Sequence, residues 1–185
     1  MDKELIKIAE KTLNMLDKKS WKSISLDNIL DKSNAKKKKF EKIVIKQDLL
    51  KNLNKYFDFN LSLQAKLIEK SSNKDMIFEV LMMRFDILQK YRSAILSIFA
   101  SFKKNPQDLI FLIPSFLESM IVVANLANIK LSGLQGNIKI KGLLIIYFSS
   151  LLTWINDESL SLEKTMTSLD KNLNQAEAVL AYFNK

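Results

Sequence analysis

Apolar residues recur three and four positions apart along nearly the whole chain, the spacing that gathers them on one face of an α-helix. Leu5, Ile8, Ala9, Leu13 and Leu16 predict a first amphipathic helix over residues 2–17. Ser25 reads as an N-cap, its hydroxyl able to accept from a first-turn N–H, and Asp27 suits the positive end of the helix dipole. The helix it opens is short, Leu26 to Lys32, and Ser33-Asn34 breaks it. Asn is among the few residues that tolerate a left-handed turn position. A second short helix is predicted over Ala35 to Lys42. From Lys46 a long helix carries Leu49, Leu50, Leu53, Phe57, Leu61, Ala65 and Ile68 on one face.

Ser71-Ser72-Asn73 interrupts the pattern, which resumes at Ile77, Leu81, Phe85 and Leu88 and runs to Ile95, Ile98 and Phe102, with a bend near Tyr91. Asn105-Pro106 with Asp108 is a helix start, since proline at the first position lacks only an N–H that would be orphaned anyway. That helix is apolar on most faces and should lie centrally, kinked by Pro114. Gly133 to Gly136 predicts a turn, Gly142 to Ile155 a helix apolar nearly all round. The last helix, 160–183, spaces Leu162, Met166, Leu169, Leu173, Ala176, Leu180 and Phe183 as a heptad seam. The two most apolar windows read as buried helices: Leu109–Ala124 contains Pro114 and Glu118, and Gly142–Ile155 falls short of the roughly 20 residues that span a bilayer. No transmembrane segment or signal peptide is expected, and the location expected is cytoplasmic.

Composition narrows the function. With three Gly and two Pro in 185 residues, hairpins are scarcely affordable and the fold class is all-α. There is no Cys and no His, which removes thiolate metal sites, disulfides, Cys nucleophiles and the usual neutral-pH general base. The three glycines match no phosphate-cradling loop. Neither an enzyme nor a metal or other cofactor is expected. The net charge is +9, and 27 of the 29 basic residues are Lys. Residues 1–60 hold 15 Lys against nine acids, a net of +6, while 61–185 carry +3 over twice the length. A basic N-terminal module joined to a nearly balanced remainder points to a polyanion partner.

Two short helices joined by a tight turn, the second positively charged, describe a helix-turn-helix, whose second helix fits the DNA major groove. Ser25, Lys36, Lys37, Lys38, Lys39, Phe40, Lys42 and Lys46 are the candidate DNA-binding residues. Lys38 and Lys42 share one helix face, Lys36 and Lys39 another. The segment resembles the DNA-binding domain of TetR-family transcriptional regulators: Ser25 at the cap, Ile29 mid-helix, Asn34 where the family has a turn glycine, Phe40 near the end of the recognition helix, and Lys46-Gln47-Asp48-Leu49-Leu50 for its Lys-x-x-Leu-Leu start. The resemblance implies a TetR-like fold, with residues 1–60 as the helix-turn-helix domain and 61–185 for ligand binding and dimerisation. It further implies a homodimer on palindromic double-stranded DNA, and a small apolar ligand that releases it.

Phe78 to Asp86, Trp154-Ile155-Asn156-Asp157, Lys164-Thr165-Met166 and Leu169-Asp170 are similar to a TetR-like group related to a lipid-binding accessory protein of ubiquinone biosynthesis. That similarity implies an alternative, an isoprenoid or lipid carrier. Met83, Phe116, Met120 and Tyr147 are the candidate pocket residues, and the helices at 134–155 and 160–183 the candidate four-helix dimer interface.

Overall fold

The structure is a computed structural model and describes residues 1–32, 43–67 and 71–183. Within them it is all-helical, with no strand. The α-helices are α1 (Lys3–Leu16), α2 (Leu26–Lys32), α3 (Lys46–Gln64), α4 (Asn73–Gln89), α5 (Arg92–Phe102), α6 (Pro106–Leu126), α7 (Gly133–Ile155) and α8 (Glu163–Phe183). Single 3-10 turns lie at Trp21–Ser23 and Ala65–Leu67. This is an all-α architecture.

Two departures from the sequence pattern concern helix ends. The run through Tyr91 is a break rather than a bend: Tyr91 has φ −121° and ψ 28°, and its N–H closes α4 on Leu88 while its carbonyl opens α5. The second departure is α7, which begins at Gly133 and so has 23 residues. Gly133 sits at φ +58°, where an L side chain is strained. Gly136 lies inside the first turn, where a Cβ would come 2.8 Å from the Leu131 carbonyl carbon. These glycines start a helix instead of replacing one. By length and composition alone, α6 and α7 could each cross a membrane, and only 39% and 33% of their most apolar windows are buried.

The chain forms two compact units. The first comprises residues 1–60 and 87–116. Residues 87–116, which the sequence groups with the C-terminal part, pack here because their polar groups complete the N-terminal helices. Ser97 Oγ accepts the Trp21 N–H at 3.1 Å, and Ser93 Oγ donates to Asp17. Buried Asn54 donates to both the carbonyl and the hydroxyl of Ser115 at 2.9 Å. The α1 helix packs on α2 and α5, and its Ile8, Ala9 and Leu13 are fully buried. Tyr56 lies 3.3 Å from the Tyr91 hydroxyl and 3.4 Å from Glu10. Burial, reinforced by the Tyr91 hydrogen bond, pushes the Tyr56 phenol well above its ordinary range, so it stays protonated.

The second unit comprises residues 61–86 and 117–185, with α7 packed along α8. Leu162, Leu169 and Leu173 of the α8 seam are buried within the chain, while Ile138, Ile145 and Leu152, seven residues apart on α7, are 58–70% exposed. Thr153 bonds Ser168, and Asn172 donates to Ser149 and Ser150, tying the two helices together. Arg84 is fully buried: it donates to Ser119 at 3.3 Å and lies 5.3 Å from the Tyr147 ring, which stacks on Phe85.

At the α7–α8 corner, buried Asp157 accepts from the N–H and hydroxyl of both Ser159 and Thr165 at 2.6–3.1 Å. Desolvation opposes its ionisation, but these four bonds together outweigh it and hold the carboxyl at about 2. The corner closes through Leu162, buried at φ +54°. Thus Arg84, Trp154, Asp157 and Thr165, which carry part of the second resemblance, are all completely buried packing and corner residues.

Candidate nucleic-acid interface

Charge divides between the two units far more sharply than along the sequence. The first unit holds 19 basic and 10 acidic residues, net +9; the second holds 10 of each, net zero. The whole excess of positive charge therefore lies in the unit containing residues 1–60. The gain over the +6 of residues 1–60 comes from Lys90, Arg92, Lys103 and Lys104 against Asp108. Linear counting misses these cations, because only the fold brings 87–116 back to the N-terminal helices.

Among the predicted contact residues, Ser25 has the geometry of a cap: its hydroxyl accepts from the Asn28 N–H at 3.3 Å, fixing the start of α2. Below it Ile29 is fully buried, anchoring α2 in the core. Lys36, Lys37, Lys38, Lys39, Phe40 and Lys42 lie outside the described residues. On the far side of that stretch, Asp48 accepts from the N–H groups of Val44 and Ile45, both at 3.0 Å, and so defines where α3 begins.

Lys46 is turned inward. Its ammonium donates to the Trp21 carbonyl at 2.5 Å and lies 4.6 Å from the centroid of the Trp21 ring. Burial pulls its pKa down, and the nearby Asp108 carboxylate partly restores it. In this position Lys46 braces the 3-10 turn. Next to it, Gln47 donates to Asp108 at 3.1 Å, joining the start of α3 to the start of α6. Lys51 sits 3.6 Å from the Phe111 ring, a second tie between these helices.

Of the predicted pocket residues, Phe116 and Met120 lie one turn apart on α6. Phe116 belongs to the first unit and is buried; Met120 and Tyr147 are buried in the second, where Met83 is half-buried. The second unit also carries a partly open depression of about 300 Å³, lined by Ser71, Asn73, Met76, Ala127 and Asn128. None of the predicted pocket residues lines it.

Compared with profiles of known protein families and with curated proteins, the sequence matches none.

Proposed function

We propose that the protein is a TetR-like, ligand-responsive transcriptional repressor that binds a palindromic operator as a homodimer. The observation that carries this reading is the complete segregation of charge: a net of +9 in the unit with the helix-turn-helix segment, against zero in the other. Lysines neutralise phosphates and release counterions, so such a unit gains affinity for a duplex while its neutral neighbour remains available for other work. With no Arg in residues 1–60, the rigid guanidinium fork that reads guanine best is missing there, and phosphate contact by Lys supplies most of the affinity. The open heptad face of α7 supports pairing with a second copy; on the α8 seam Leu162, Leu169 and Leu173 are buried in their own chain while Met166 is exposed.

Duplex binding followed by fluorescence anisotropy over a salt series tests the reading. Affinity should fall steeply with salt. Replacing Lys36 to Lys39 by Ala should flatten the log–log slope by about 2, as expected when two lysines on one helix face lose their phosphates. No duplex binding by the folded protein at low salt would refute it. The second reading, an isoprenoid carrier, is favoured by the half-buried Met83 within the unit of zero net charge. It requires a bound isoprenoid in the purified protein, unaffected by the same Lys changes.

A further inference from the structure

The inward turn of Lys46 has a consequence for how the first unit can hold a phosphate backbone. Its ammonium is committed to the Trp21 carbonyl and is partly desolvated, so it is poorly placed to neutralise a phosphate outside. Other cations lie at the same end of the unit. Lys22 belongs to the 3-10 turn that Lys46 braces, its own carbonyl 3.5 Å from the Lys46 ammonium, and it is exposed. The turn packs on α5, anchored where Ser97 takes the Trp21 N–H. The α5 helix then ends in Lys103-Lys104, both exposed, and the following residues lead to Asp108, which holds Gln47 at the start of α3. This turn has a fixed backbone: the N–H groups of Lys104 and Asn105 both bond the Ser101 carbonyl, at 3.0 and 2.9 Å.

Two acids at this end are already bonded. Asp48 caps Val44 and Ile45 and pairs with Lys51, and Asp108 is bonded to Gln47. Lys22, Lys103 and Lys104 are thus exposed cations on two short turns linked through one chain of contacts. Of the nearby carboxylates, Asp48 and Asp108 are engaged elsewhere.

We infer that Lys22, Lys103 and Lys104 form a second phosphate-binding surface, which grips the backbone of duplex DNA beside the helix-turn-helix segment and takes over the outward role that Lys46 does not fill. This inference rests on the DNA-binding reading above. The surface is sequence-blind: phosphate contacts position a protein on the duplex without reading bases. Two of its three lysines come from a segment far from residues 1–60 in the chain.

The test uses the full-length protein and a 30-base-pair duplex of mixed sequence, over a salt series. Lys103→Gln with Lys104→Gln should lower the log–log salt slope by about 2, close to the 0.9 expected per lost phosphate contact, and weaken binding about tenfold at 0.15 M salt. Adding Lys22→Gln should lower the slope by about one more. A control, Lys164→Gln with Lys171→Gln, removes the same charge from the second unit and should leave the slope unchanged. Circular dichroism melts check that each variant folds; exposed Lys→Gln changes should move them little. If the wild type binds and the 103/104 slope is unchanged, the surface is refuted and the regulator reading stands. If the control flattens the slope equally, only total charge matters and the surface is again refuted. A wild type that binds anionic lipid vesicles but no duplex refutes both.

Discussion

Both units are helical and built on buried Leu and Ile, yet they handle polar groups in opposite ways. Among its described residues the first leaves most of its cations exposed, Lys46 being the one turned inward, and bonds its interior largely through neutral amides and hydroxyls: Asn52 to the Leu5 carbonyl, Asn54 to Ser115, Ser97 to Trp21. In the second, charge balances overall, and an Arg and an Asp are taken fully inside, Arg84 against Ser119 and Tyr147, Asp157 at the corner. A buried charge is expensive unless it is well bonded, and breaking its bonds costs far more than losing an exposed Lys. The second unit should therefore be the one that point mutations damage through stability. The first should show its losses in binding.

The largest effect is expected at Trp154, fully buried in α7. Trp154→Ala should destabilise by about 3–5 kcal/mol, read by urea denaturation, through lost burial and the cavity left behind. Equal destabilisation by any of the exposed Lys changes above would erase the contrast. Next comes Asp157→Ala, which leaves the Thr165 N–H and hydroxyl without their acceptor and should destabilise by about 2–3 kcal/mol. The same residue gives a pH signature. Its folded pKa, about 2, lies below the ordinary 3.8, so the stabilisation is present above about pH 4 and is lost as the pH falls towards 2. That loss should be about 1–2 kcal/mol, and Asp157→Asn should abolish it.

Ser25→Ala should cost about 1 kcal/mol by removing the α2 cap, with hydrogen exchange accelerated in α2 and unchanged in α7 and α8. The smallest effect is electrostatic. Raising salt screens the self-repulsion of the +9 unit, so amide protection in α1 and α5 should rise by a few tenths of a kcal/mol, with no change in α8. An equal response in α8 would show that the charge is not partitioned as the fold divides it.

Much of this architecture was legible in the sequence because helical periodicity is a local signal. Leu26–Lys32 has the bounds the pattern and the Ser25 cap predict, and α1 and α3 start within a residue of expectation. The misread features depend on contacts from elsewhere. Gly136 reads as a turn residue until the nearby Leu131 backbone explains why a helix needs glycine there. Lys46 reads as an outward cation until Trp21, 25 residues earlier, supplies the carbonyl that draws it in. The charge of 87–116 counts toward the wrong half until Ser97, Tyr91 and Ser115 are seen bonded to the N-terminal helices. In the candidate site, the cap and the helix start were visible beforehand; the cations of the α5–α6 turn were not.

The boundary between the units falls at 60/61, 86/87 and 116/117, each time inside a continuous helix: α3, α4 and α6. An engineer who wanted to graft the N-terminal segment onto another effector module would find no linker to cut. A cassette ending at residue 60 would leave behind the serines and tyrosine that complete it, and it would take only the first 15 residues of α3. Changing the surface of this unit therefore means substituting side chains on an intact chain rather than exchanging a block of sequence.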